Sequence, residues 1–457
     1  MKEQLITLKT IPNSILSEAT LPVISFENDL LKQIKLMRRF LKTNDGAGLA
    51  ANQIGIKNNV IVIEFEEKEN SPKSESIPFQ AFINPQIVEC SKEQESSEEG
   101  CLSIPKIELP VTRAKKIKIR FQDSQGKKKK LAASGILARI LQHEIDHLNG
   151  IIFTERIKEK FLLDNPEFKN LKIVFFGSGK FGATILEGLI LIGLKPTIIT
   201  EKGKPAGRGK ELKLTPVAEM AQRFGRKYTE VDKNSLMSLQ MLVEQSFDLI
   251  ICADFGKIIP ENVLKMAKIT AINIHPSLLP KYRGATPIQT TILNGDKITG
   301  ASIIKMNNKI DQGEVLAQIE TKILENDNSL TLSDRLSTLA LQLLFDTLPY
   351  LAKNKLQALE QDESKASLTQ KFQKSDGEIN WQESPEVIDR KIRAFYPWPG
   401  SYTILPDGKR LLIHHSHFGS GSMVLDMVRL EGGKAVKWQD FLRGYRGGKP
   451  EWFDKVK

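Results

Sequence analysis

Cysteine and histidine are scarce in this chain. Its 457 residues include three cysteines (Cys90, Cys101, Cys252) and six histidines. Three cysteines cannot build a disulfide framework, which suits a reducing compartment. Long apolar runs are missing too. The greasiest stretch, Ile185 to Ile199, is broken by Glu187, Lys195 and Pro196, and a membrane span needs about 18 continuous apolar residues. No basic–apolar–small pattern of a signal peptide opens the sequence. These shortages point to a cytoplasmic protein with no membrane partner.

The length predicts about three domains at roughly 150 residues each. Hydrophobic residues make up 40% and charged residues 26%, ordinary globular usage that excludes a wholly disordered chain. Lys and Arg total 66 against 55 Asp and Glu, a net charge of +11. That excess favours an anionic partner through steering and says nothing about fold. The histidines fall in three places, His143 with His147, His275 alone, and His414, His415 and His417, which invites a search for more than one site.

Hydrophobic spacing predicts a helix over 29–43, strands at 59–64, 79–83 and 117–121, a mobile polar insert at 66–76, and a helix over 134–148 ended by Asn149-Gly150. Residues 158–170 read as a charged connector. From Leu171 strands and helices alternate, which predicts a parallel α/β sheet. A second polar connector is expected over 360–378. The last eighty residues alternate in short runs between Gly- and Asp-rich turns, the pattern of a small β-barrel. Basic residues outnumber acidic ones there.

His143-Glu144-Ile145-Asp146-His147 places two imidazoles one helical turn apart, able to hold one metal with Glu144 beside it as proton carrier. A zinc protease of this type needs a further downstream ligand. Here the distinctive partners lie upstream, in Glu99-Gly100-Cys101-Leu102-Ser103 and in Gly46-Ala47-Gly48-Leu49-Ala50-Ala51-Asn52-Gln53. With these three motifs, residues 1–165 resemble the peptide deformylase family, and Val111–Ala114 resembles its substrate-binding region. The resemblance implies an α+β metallohydrolase domain acting on N-formyl peptides of nascent chains. It implies that Cys101, His143 and His147 hold Fe²⁺ (or Zn²⁺), a choice ligand softness does not decide. Glu144 is expected to carry the proton. Gln53 and the Leu102 N–H are expected to face the oxyanion, and Gly48 and Arg113 the peptide.

Gly177-Ser178-Gly179-Lys180-Phe181-Gly182, after a strand and before a helix, matches a dinucleotide fingerprint, with Glu201 at the next strand end. An NAD enzyme is therefore one reading. Against it stands Asn273-Ile274-His275-Pro276-Ser277-Leu278-Leu279-Pro280 at a strand end, followed by Tyr282-Arg283-Gly284 and by Asp311-Gln312-Gly313. This set resembles the 10-formyltetrahydrofolate-dependent formyltransferases. It implies a Rossmann-like α/β domain (171–360) using 10-formyltetrahydrofolate rather than NAD. Asn273, His275 and Asp311 would be catalytic, and Ser277, Leu278, Leu279 and Pro280 would lie against the folate. Lys202–Lys210 with Thr215-Pro216-Val217 resembles the tRNA-contacting insertion of methionyl-tRNA formyltransferases. That implies contact of Lys204, Arg208 and Lys210 with methionyl initiator tRNA. Residues 371–457 resemble the same family's OB-like C-terminal β-barrel, suited to phosphate contact. The histidine tract at 414–417 reads as strand surface, and Cys252 as core.

Overall fold

The computed structural model describes residues 7–65, 76–206, 211–232, 246–353, 355–419, 422–448, 450 and 452–453. The insert expected to be mobile lies almost wholly outside them. Packing divides the chain into two units, Met1–Lys169 with Gly188–Leu194, and Asn170–Glu187 with Lys195–Lys457. Among the described residues no helix is long and apolar enough to cross a membrane.

In the first unit, α1 (Asn28–Thr43) buries Leu30, Ile34, Met37 and Leu41, spaced as one apolar stripe requires. It covers a five-stranded antiparallel sheet ordered β1 (Gly48–Ala50), β2 (Val60–Phe65), β3 (Ile77–Cys90), β6 (Lys116–Gln122), β7 (Lys128–Ser134). A separate hairpin, β4 (Gln94–Cys101) and β5 (Ile104–Ala114), carries Cys101 at its turn. The sequence pattern shows this hairpin poorly, because β4 is almost entirely polar and exposed. Helix α2 (Gly135–Leu148) follows, and every residue from Ile140 to Leu148 is buried, two histidines and two acids included. Buried polar groups are costly unless bonded, so this helix marks a site. The expected connector at 158–170 is instead the end of helix α3 (Phe153–Asp164) and a 3₁₀ turn, Pro166–Asn170. The Phe161 and Phe168 rings meet edge to face at 5.0 Å and pin that turn back on the helix.

In the second unit a seven-stranded sheet runs β12 (Tyr228–Val231), β9 (Thr197–Glu201), β8 (Ile173–Gly177), β13 (Phe247–Ala253), β14 (Ala267–His275), β15 (Ile298–Lys305), β16 (Val315–Lys322). The first five strands are parallel, as expected, while β15 and β16 are antiparallel. Helix α4 (Lys180–Leu191) follows β8. A small hairpin, β10 (Lys204–Ala206) with β11 (Glu211–Lys213), follows β9. The long helix Ser329–Ala352 buries Leu332, Leu336, Ala340, Leu344 and Leu348.

The C-terminal region is β-rich but not a closed barrel among the described residues. Its sheet runs β17 (Ser401–Ile404), β18 (Arg410–Gly419), β19 (Ser422–Leu430), β20 (Ala435–Lys437) in order, with β17 and β20 at its edges. Helices Pro385–Phe395 and Trp438–Gly444 pack on it. Trp381 stacks on Trp452 at 4.0 Å, and Trp438, Phe441 and Phe453 complete an aromatic core. The expected connector over 360–378 also differs. Leu359 bridges Val315 and Leu368 bridges Arg283, so this polar stretch is laid onto the second unit.

Candidate active sites

Cys101, His143 and His147 converge in the first unit. A ligand atom from each lies within 4.8 Å of the others, the one such group among the described residues. His147 Nε2 is 3.2 Å from Cys101 Sγ. His143 Nδ1 meets Glu99 Oε2 at 3.0 Å, an orienting partner of the kind metal-binding imidazoles use. Glu99 in turn is held by both Arg113 and Arg139. Burial raises the Glu99 carboxyl, but the His143 and Arg113 bonds prevail and hold it down at about 2. Burial works against charge on His143, yet bonds to Cys101 and Glu99 raise it to about 10. Burial also raises the Cys101 thiol, and the charges and hydrogen bonds of His147 and His143 together more than reverse this, leaving it well below the usual range. One thiolate and two imidazoles form a donor set that fits a divalent transition metal.

Glu144 Oε2 is buried without a hydrogen-bond partner, and burial raises its carboxyl. A polar atom held in this state fits a group that exchanges a proton with a reacting water. Gln53 accepts from the Ala50 N–H at 2.8 Å, which turns its NH₂ toward Cys101 Sγ at 3.5 Å and Ser103 Oγ at 3.3 Å. Leu102 occupies the turn between β4 and β5. The two residues expected at the peptide also have neighbours inside the protein. Gly48 backs onto Glu144, whose Oε1 lies 2.6 Å from where a Cβ would stand. Arg113 is buried and bonds Glu99 and Asp146 at 2.7 Å each, so its guanidinium balances internal acids. Glu99 was missed as a site residue because its role depends on a hairpin the sequence pattern hides.

In the second unit Asn273 and His275 lie at the end of β14. Asn273 Nδ2 donates to Asp311 Oδ1 at 3.0 Å, and the Gly284 N–H donates to Asp311 Oδ2 at 2.8 Å. His275 Nδ1 is 3.6 Å from Asp311 Oδ2, beyond a direct hydrogen bond. Its Nε2 lies 2.9 Å from the Tyr282 carbonyl. A carbonyl only accepts, so Nε2 carries the hydrogen and Nδ1 is the nitrogen left to take a proton. Tyr282 and Asp311 both have positive φ, 64° and 53°, a conformation that costs a non-glycine residue about 1–3 kcal/mol and clusters at functional sites.

The turn after His275 is tied to its surroundings by side-chain hydrogen bonds. Ser277 Oγ donates to the Lys281 carbonyl at 2.7 Å, and Ser302 Oγ donates to the Ser277 carbonyl at 2.6 Å. Ser277 and Leu279 are buried, and Leu278 packs where a Gly300 side chain would go. Lys204 is exposed, 3.8 Å from Glu201, while Arg208 and Lys210 lie outside the described residues. His415 and His417 share Asp426, at 2.5 and 2.8 Å.

The dinucleotide-like loop is filled by the protein itself. The Ser178 and Gly179 N–H groups donate to the Asp254 carbonyl at 2.9 and 3.2 Å, and the Phe181 and Gly182 N–H groups donate to its carboxylate. Side chains are excluded at Gly179, since a Cβ there would collide with that carboxylate. Asp254 thus sits where a pyrophosphate would meet the start of α4.

Metal-ligand geometry in one unit and an Asn-His-Asp cluster at a parallel strand end in the other define a metallohydrolase joined to a group transferase. The family models agree. "Polypeptide deformylase" matches residues 6–161, "Formyl transferase" 171–348 and "Formyl transferase, C-terminal domain" 371–421. A methionyl-tRNA formyltransferase of Staphylococcus aureus (strain MW2) is 36% identical over 237 residues, 52% of this chain and 76% of that relative. A peptide deformylase of Synechococcus elongatus in complex with actinonin is 34% identical, covering 34% of this chain and 80% of that one, with a TM-score of 0.31. A class I type b peptide deformylase of Acinetobacter baumannii is 33% identical over 34% of this chain and 98% of its own, with a TM-score of 0.32. The chain belongs to the methionyl-tRNA formyltransferase family and carries a polypeptide deformylase domain ahead of the transferase.

Proposed function

We propose that this protein attaches the formyl group to methionyl initiator tRNA and, at its separate N-terminal site, removes it from N-formylmethionyl peptides. The domain limits that go with this are 1–165 for deformylation, 171–360 for transfer and 371–457 for tRNA contact. The observation that carries it is the coexistence of the Cys101–His143–His147 group beside the orphaned Glu144 oxygen with the Asn273–Asp311–His275 cluster.

In deformylation Cys101, His143 and His147 would hold Fe²⁺ or Zn²⁺, which would supply Lewis-acid activation of water at neutral pH and of the formyl oxygen. Glu144 takes the proton of the attacking water and returns it to the leaving amine. The Gln53 NH₂ and the Leu102 N–H stabilise the negative oxygen that develops. Glu99 fixes the His143 ring, and the bonds to His143 and Arg113 keep Glu99 ionised.

In transfer the donor is 10-formyltetrahydrofolate, held against the Ser277–Pro280 turn. The uncharged methionyl amine attacks the formyl carbon. Asn273 donates to the resulting oxyanion, and His275 Nδ1 takes the proton the amine sheds. The bond to N10 then breaks and N10 is protonated, which leaves tetrahydrofolate and formylmethionyl-tRNA. Asp311 stabilises the imidazolium formed in between. The tRNA backbone meets Lys204, Arg208, Lys210 and the basic C-terminal region. The formyl peptides are nascent chains, met at the ribosome. Incubation with 10-formyltetrahydrofolate and charged initiator tRNA, then a formyl-peptide assay on the same preparation, tests both halves. Absence of either product rejects that half.

A further inference from the structure

Both residues of positive φ beside His275 are held by one short segment of chain. The Tyr282 N–H donates to Ser367 Oγ at 2.9 Å. The Arg283 N–H donates to the Ser367 carbonyl at 2.8 Å, and the Thr369 N–H donates to the Arg283 carbonyl at 2.8 Å. On the other side, Gln361 Nε2 donates to the Asp311 carbonyl at 2.9 Å and to the Gly313 carbonyl at 2.7 Å. Gln361 Oε1 accepts from Arg283 Nε at 3.0 Å and Nη2 at 2.8 Å. With donors at one end and acceptors at the other, the Gln361 amide has one orientation. Arg283 is 2% exposed and also pairs with Glu363 at 2.8 Å. This segment, 361–369, lies between the matches to the two formyl transferase models, 171–348 and 371–421. Its composition reads as a solvated linker.

We propose that Gln361 is a positioning residue for formyl transfer. With Arg283 it fixes the loop that bears Asp311, and through Ser367 the same segment fixes the Tyr282 carbonyl that orients His275. His275 and Asp311 are thereby held 3.6 Å apart in the free enzyme. The segment is part of the transfer centre although none of its side chains is assigned to touch substrate. This rests on the reading of Asn273, His275 and Asp311 as that centre.

Steady-state formyl transfer by Gln361→Leu, Gln361→Glu and Ser367→Ala, with kcat and KM separated and kcat followed against pH, tests the inference. Gln361→Leu is expected to lower kcat about tenfold or more, with both KM values within about twofold, because misplacing a catalytic group costs turnover before binding. Gln361→Glu is expected to fall at least as far, since its carboxylate would face two carbonyls while still satisfying Arg283. The pH profile of kcat should shift in both, which loss of folded protein alone would not produce. Ser367→Ala should lower kcat and Ser367→Thr should restore it, a pair that decides the matter if the Gln361 variants do not fold. Asp311→Asn run in parallel separates the failures. Wild-type transfer by Asp311→Asn overturns the reading of the centre. An inactive Asp311→Asn, with kcat and pH profile unchanged in Gln361→Leu and Ser367→Ala, overturns the positioning role.

Discussion

Glu99 Oε2 lies 3.0 Å from His143 Nδ1 while the same carboxylate is gripped by Arg113. The imidazole that would bind metal is thus oriented by an acid that His143 itself and Arg113 keep ionised. Replacing such an outer partner commonly weakens metal affinity by about 10–100-fold. Glu99→Gln is expected to do so, read as loss of metal to a competing chelator. Affinity within about twofold of wild type would remove Glu99 from the site's support.

Gly48 has a separate consequence. A methyl group there meets the Glu144 side chain rather than open space. Gly48→Ala is expected to displace Glu144 and lower kcat for formyl-peptide hydrolysis about tenfold or more, since general base catalysis contributes about 10²–10⁴-fold. Metal content should stay unchanged. A variant in which only KM rises would instead make Gly48 a peptide contact.

Asp254 gives a pH dependence. The residue as a whole is exposed, but the loop closes around its carboxyl, and that local desolvation holds it above the ordinary 3.8, against the Gly182 and Phe181 bonds that lower it. The folded state therefore keeps this proton at pH values where the unfolded chain has lost it. Its contribution to stability falls as pH rises from 3.8 toward the folded value. Asp254→Asn keeps an acceptor for one N–H and removes the titration. Between a pH just below 3.8 and neutral pH it is expected to lose less stability than the native chain. An identical pH slope in both proteins would contradict this.

Much of both sites was legible in sequence because short motifs place their residues locally. Two histidines a helical turn apart must share a face, and Asn273 with His275 must share one side of β14. What the sequence hid depends on long-range pairing. Glu99 reaches His143 only through the polar hairpin β4–β5. Arg113 shows its acidic partners only once α2 is packed. The segment at 361–369 looks solvated because its bonds run to backbone of loops some fifty to eighty residues away. The GxGxxG loop offered a rival reading for a related reason, since Asp254, which fills it, comes from a strand end much later in the chain. The C-terminal alternation correctly announced strands, but alternation does not say whether a sheet closes.

Two independent centres on one chain handle the same formyl group. Glu144→Ala and His275→Ala, each assayed for formyl transfer to methionyl-tRNA and for formyl-peptide hydrolysis, test it most directly. Glu144→Ala should keep its metal and transfer while losing hydrolysis by about 10²-fold or more, and His275→Ala should do the reverse. A single substitution that abolishes both activities in a folded protein, or neither, would contradict it.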